Sequence, residues 1–125
     1  MTKHPGEWNN EGLAFFGNGQ YEESLKCYDT ALEIDPKFIQ ALNNKGNVLR
    51  ILKEYEKAII TFDKAISIDK ENAELWVNKG AVYYEMDDYV SAINCFDQAL
   101  SINPEEMCIR DSPLPMWTGF RETTW

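Results

Sequence analysis

Twenty-one acidic against twelve basic side chains give this 125-residue chain a formal net charge of −9, which a phosphate backbone or an anionic membrane would repel. A 44% apolar, 26% charged composition is that of a folded globular domain, and no run approaches the roughly 18 apolar residues of a membrane span. The first ten residues hold no apolar signal-peptide core and three cysteines show no metal-ligand spacing, so a cytoplasmic protein with reduced thiols and no metal or cofactor is expected.

A period of 34 residues organises the chain. Asn9-Asn10-Glu11-Gly12, Asn43-Asn44-Lys45-Gly46 and Val77-Asn78-Lys79-Gly80 are near-copies at that step. After a short extension, residues 1–4, the register divides the chain into units 5–38, 39–72 and 73–106. Their columns keep size class: Trp8/Leu42/Trp76, Phe15/Leu49/Tyr83, Tyr21/Tyr55/Tyr89, Ser24/Ala58/Ala92, Tyr28/Phe62/Phe96 and Ala31/Ala65/Ala99. In the first unit Trp8, Gly12 and Phe15 recur at helical spacing, as do Tyr21, Ser24, Tyr28 and Ala31, so each unit is predicted to be a hairpin of two amphipathic helices. Gly17-Asn18-Gly19, Lys53-Glu54 and Asp87-Asp88 mark the breaks inside the hairpins. Asp35-Pro36 and Asn103-Pro104 end second helices, whereas Lys70 replaces the proline of the second unit and predicts a less sharp end there. A glycine within a helix costs about 1 kcal/mol against alanine, so Gly12, Gly46 and Gly80 imply close packing inside each hairpin.

These columns resemble the tetratricopeptide repeat, whose pattern is Trp-x2-Leu-Gly-x2-Tyr, then Ala-x3-Phe, then Pro. The leucine column departs from it with Glu11, Lys45 and Lys79. The resemblance implies an all-α fold, an α-α superhelix or right-handed solenoid of three helix hairpins, and a non-catalytic scaffold that binds proteins in its concave groove. The residues agree on catalysis: His4 is the lone histidine, and no nucleophile, metal or phosphate-loop motif accompanies it. Cys27 and Cys95 share a column two repeats apart, beyond disulfide reach, and are expected to be small outer-face residues.

On a helical wheel the side of the first helix opposite Trp8, Gly12 and Phe15 carries Gly6, Asn9, Asn10, Leu13, Phe16 and Gly17. The same columns give Gln40, Asn43, Asn44, Asn47, Arg50 and Ile51, then Glu74, Val77, Asn78, Ala81, Tyr84 and Glu85. In the family this face lines the groove. Asn10, Asn44 and Asn78 are expected to form an amide ladder similar to that of O-GlcNAc transferase repeats, gripping the backbone of an extended or disordered peptide. The alternative is that each asparagine bonds a neighbouring helix and only holds the stack. The carboxylate clamp of chaperone-binding members is matched at Asn44 alone among Asn9, Leu13, Asn44, Glu74 and Asn78, and Glu74 would repel an acidic tail. Arg50 could anchor one ligand carboxylate or be balanced by Glu54 on its own helix.

The period stops after Glu106. Met107-Cys108-Ile109-Arg110-Asp111 resembles the translation of a transposon mosaic-end adapter used in sequencing libraries, so residues 107–125 are expected to be a non-native tail, the natural protein continuing in repeats or another domain. The alternative is a genuine tail whose Ile109, Leu114, Trp117 and Phe120 fold back on the last helix. An array ending here leaves Phe96 and Leu100 uncovered, a route to self-association, and leaves room for a second function, as the accessory repeat region of a larger enzyme such as a glycosyltransferase. Phe62, in the middle repeat, is predicted to be core: Phe62→Ala should lose about 3–5 kcal/mol in a urea melt, and a loss under about 1 kcal/mol would place it outside the core.

Overall fold

Six helices follow one another in the computed structural model, which describes residues 4–102: α1 (Pro5–Gly17), α2 (Tyr21–Ile34), α3 (Ile39–Ile51), α4 (Tyr55–Ile68), α5 (Ala73–Glu85) and α6 (Tyr89–Ile102). They form three antiparallel hairpins stacked side by side, α1 with α2, α3 with α4 and α5 with α6. The expected tail from Met107 onward and the Asn103-Pro104 stop lie outside the described residues.

Local chemistry sets the helix ends. Pro5 opens α1, where the missing N–H is harmless, and the Glu7 carboxylate accepts the His4 N–H at 2.9 Å. Asn72 accepts the Glu74 N–H at 3.1 Å at the start of α5, and Asp88 accepts the Ser91 N–H at 3.3 Å near the start of α6. Each hairpin turns through one left-handed residue in the same column: Gly19 at φ 80°, Lys53 at 67° and Asp87 at 65°. The residue after each of them donates back to Phe15, Leu49 or Tyr83, satisfying a carbonyl that the ending helix leaves open. The replacement of proline by Lys70 does not soften the end of α4, which stops at Ile68 as α2 stops at the equivalent Ile34. An aspartate makes both turns: Asp35 accepts the Lys37 N–H at 3.1 Å and Asp69 accepts the Glu71 N–H at 3.3 Å.

The glycines face the rings. A methyl group added to Gly46 would lie 2.5–2.8 Å from three atoms of the Phe62 ring, and one on Gly80 2.6–3.0 Å from Phe96. Gly12 is pressed in the same way against Tyr28. Small residues complete the close approach, with Ser24, Ala58, Ala31, Ala65 and Ala99 fully buried. Between hairpins, Leu42, Leu49, Phe62, Ile66, Leu75 and Val82 belong to one buried cluster, against which Leu25, Leu32, Ile59 and Trp76 pack.

Two features depart from the sequence expectations. Cys27 and Cys95 are buried rather than on the outer face, as is Thr61 in their column. That column turns toward the first helix of its own hairpin, where the Cys27 thiol points at the Glu11 carboxylate across 3.9 Å. Burial pushes the Cys95 thiol above its ordinary range, although the charge of Lys79 pulls the other way. Ala41, Val48, Leu75 and Val82 are also buried, while their counterparts Glu7 and Ala14 in α1 are exposed. These residues form a second apolar stripe, which sets α3 and α5 against the preceding hairpin.

Curvature follows from the helix contacts. α1 touches α3 and α3 touches α5, whereas the second helices stand apart and leave open grooves between α2 and α4 and between α4 and α6. The first helices therefore line the inner, concave side.

Tyr28 is fully buried, and its hydroxyl has no hydrogen-bond partner among the described residues. Desolvation, with the neighbouring Cys27, pushes its pKa from 10.0 up to about 12. Between those values the unfolded chain ionises while the folded one resists, so stability present below pH 10 is lost as pH rises toward 12. Tyr28→Phe should raise stability by roughly 1 kcal/mol at pH 8 and flatten the decline between pH 10 and 12. Urea melts at pH 8 and pH 11 giving the same losses for both proteins would contradict this.

Candidate peptide-binding groove

The residues expected on the groove face of α1, α3 and α5 lie at different depths. Asn10, Leu13, Gln40, Glu74 and Tyr84 are exposed; Phe16, Asn43, Asn44, Asn47, Arg50, Asn78 and Ala81 are half buried; Asn9 is buried. Gly17, Ile51 and Glu85 are exposed at its edge, and Gly6 and Val77 half buried.

The asparagines do not pair within one column. Asn44 Nδ2 donates to Asn9 Oδ1 at 2.9 Å, and Asn78 Nδ2 donates to Asn43 Oδ1 at 2.6 Å. Both links join residues 35 apart, one more than the repeat, so the second asparagine of each unit reaches back to the first asparagine of the unit before. The cause is geometric. Adjacent asparagines on a helix point about 100° apart, so the first of a pair meets the following repeat and the second the preceding one, and the diagonal brings their amides within reach. The doubled Asn-Asn was the legible signal; the offset of 35 was the part sequence reasoning missed. Asn43 Nδ2 also faces the Glu74 carboxylate at 3.4 Å.

The pairing leaves definite groups without a hydrogen bond. Among the described residues no hydrogen bond engages the Oδ1 atoms of Asn44 and Asn78, and Asn10 has both ends of its amide open. Arg50 donates to Glu85 of the next repeat at 2.6 Å, with Glu54 bonded instead to Lys57 at 3.1 Å. The expected balance with Glu54 is thus replaced by a cross-repeat ion pair, because at the end of α3 the guanidinium lies along the groove rather than down its own helix. Phe16 leans on Tyr21 with ring centroids 5.6 Å apart, and Tyr84 on Tyr89 at 5.3 Å, so the two groove aromatics are braced by the first residue of each second helix. With Glu74 and Glu85 against Arg50 alone, the mapped face has more acid than base.

On the opposite side, Lys45 pairs with Asp29 at 2.7 Å and Lys79 with Asp63 at 2.5 Å. Burial opposes the charge of Lys79, but the hydrogen bond and charge of Asp63 outweigh it and hold the pKa above the ordinary lysine value. Lys79 also lies 5.4 Å from the Trp76 ring centroid.

Comparison with known families agrees with this architecture. A family model described as TPR repeat matches residues 12–49 and 46–87, and one described as tetratricopeptide repeat matches residues 73–106. The chain belongs to the tetratricopeptide repeat family. A 40-residue segment, 32% of the chain, is 45% identical to the photosystem I assembly protein Ycf3 of Acaryochloris marina (strain MBIC 11017) and spans 24% of that protein's length. Two solved tetratricopeptide repeat domains share the fold, the second and first TPR of Spaghetti (RPAP3), each bound to the HSP90 peptide SRMEEVD. The second is 20% identical with a TM-score of 0.75, covering 81% of this chain and 94% of that one. The first is 18% identical with a TM-score of 0.77, covering 83% and 82%. Among the described residues no helix is long and apolar enough to cross a membrane.

Proposed function

We propose that the groove of α1, α3 and α5 binds an extended segment of another protein and that the chain acts as a scaffold with no catalytic step of its own. The observation that carries this reading is the recurrence of open amide oxygens on Asn44 and Asn78, with the open amide of Asn10 one repeat earlier. Packed helices lie roughly 8–10 Å apart, and an extended chain advances roughly 3.3 Å per residue, so one amide per repeat meets about every third peptide residue. Each Oδ1 would accept a peptide N–H, while Phe16 and Tyr84 offer surfaces for side chains. Backbone contacts of this kind favour extended segments with loose sequence preference.

The two Spaghetti domains support peptide binding as a use of this fold. Their acidic peptide is a poor match for this groove. Asn9 is buried and bonded to Asn44, Arg50 is held by Glu85, and Glu74 lies exposed where a carboxylate would have to sit.

The test is titration of the full chain with a library of unstructured peptides, with SRMEEVD as a separate arm. Selected peptides should bind the wild type, and the Asn44→Ala, Asn78→Ala double variant should weaken them by about tenfold, as for two lost hydrogen bonds of about 0.7 kcal/mol each. SRMEEVD should bind more weakly than the selected set. Unchanged affinity in the double variant would assign the asparagines to the stack alone.

A further inference from the structure

Charge on the mapped groove face is concentrated at one point. Of the residues assigned to that face only Arg50, Glu74 and Glu85 are charged, and Arg50 and Glu85 neutralise one another across 2.6 Å. Glu74 remains. It is exposed and has no lysine or arginine partner among the described residues. Its carboxylate meets Asn43 Nδ2 at 3.4 Å, and the Oδ1 of the same Asn43 accepts from Asn78 at 2.6 Å. One asparagine thus holds the carboxylate beside the second amide link of the stack.

Neither the helix nor the stack requires an acid at this place. Glu74 lies in the first turn of α5, where negative charge suits the helix dipole, and the Asn72 side chain caps its N–H at 3.1 Å. The same column holds Gln40 in α3 and Gly6 in α1, and both helices form without a carboxylate there. The position is not one that a following repeat covers, either. Gln40 stays exposed with the third hairpin stacked against its own, so the column is open to solvent even where the array continues.

A peptide laid along the amide links would take water from Glu74, and a carboxylate that loses water without gaining a cation is destabilised. The chain supplies no such cation, since Arg50, the one base on the mapped face, is held by Glu85. The ligand has to bring it.

We propose that the segment bound in this groove is a basic one, with a lysine or arginine side chain that pairs with Glu74. The inference rests on the peptide-binding reading above and names the class of ligand. Asn78 Oδ1 accepts a backbone N–H of the segment, and the cation comes from a residue close to that N–H, because Asn43 keeps Asn78 and Glu74 side by side. Affinity then comes from amides that tolerate any sequence, and selection from one charge set among them.

The probes are labelled synthetic peptides of about ten residues, long enough at roughly 3.3 Å per residue to cross the three repeats, on one neutral scaffold of serine, threonine and valine with lysine, glutamine or glutamate at the centre. They are titrated into the full chain by fluorescence anisotropy. The lysine peptide should bind about fivefold tighter than the glutamate peptide, with glutamine between them, and the gap should narrow in high salt. Glu74→Lys should reverse the order, and Glu74→Gln should bring the three together. The overall charge of −9 attracts any cation, but a preference from that source survives Glu74→Lys. A Glu74 that serves only α5 would change the melting of both variants without moving the peptide order. The Asn44→Ala, Asn78→Ala double variant should weaken all three peptides and keep their order. Equal binding of the lysine and glutamate peptides, or an order that Glu74→Lys leaves unchanged, would overturn this inference while peptide binding itself stands. Failure of all three peptides to bind would overturn the groove reading and this inference with it.

Discussion

The contact between a helix glycine and the aromatic ring opposite sets the rest of this structure. Gly12, Gly46 and Gly80 each lie so close to Tyr28, Phe62 or Phe96 that a single added carbon would enter the ring. That closeness fixes how far apart the two helices of a hairpin lie, and with it where the remaining faces point. One stripe of the first helix is consumed by the ring, a second by the preceding hairpin through Ala41, Val48, Leu75 and Val82, and what remains is the concave groove. The intrinsic helix penalty of about 1 kcal/mol for each glycine is smaller than the several kcal/mol that a fully buried ring contributes, which is why glycine is kept in a helix interior.

The asparagines depend on that geometry. With the hairpins held at one spacing, the second asparagine of a unit falls within hydrogen-bond reach of the first asparagine of the unit before, and the Asn9 to Asn44 and Asn43 to Asn78 links tie the floor of the groove together. One amide N–H of each link belongs to the stack, and the Oδ1 of the donating asparagine carries no hydrogen bond among the described residues. Under the proposed function, the structural and the binding roles of these residues are two ends of one side chain. The Asp29–Lys45 and Asp63–Lys79 pairs do for the outer side what the amides do for the inner one, linking consecutive repeats in register.

Much of this was legible in the sequence because a period of 34 states the same requirement three times. Trp8, Gly12 and Tyr28 mean little singly; with their copies they specify a hairpin, its close-packed seam and the number of repeats. The hidden parts depend on relations between columns. The diagonal asparagine pairing and the Arg50 to Glu85 ion pair join residues 35 apart, and a register compares residues 34 apart. Lys53 and Asp87 hide the left-handed turn that Gly19 announces, since lysine gives no sign of a positive φ and aspartate a weaker one than glycine. The apolar stripe of α3 and α5 was masked by Glu7 and Ala14 in the first unit, where that stripe faces no earlier repeat among the described residues. Cys27 and Cys95 are buried because their column turns inward, toward the charged Glu11 and Lys79 column that in most repeats of the family is leucine.

Ring and glycine are fitted to each other, and a double-mutant cycle of Gly46→Ala with Phe62→Leu tests that fit directly. In the wild-type background the added methyl should destabilise by about 1–3 kcal/mol despite the better helix propensity of alanine, since a fully buried ring has no room to move. With leucine at position 62 the same methyl should cost less than half as much. An equal cost in both backgrounds, or a gain in stability from Gly46→Ala alone, would contradict the account.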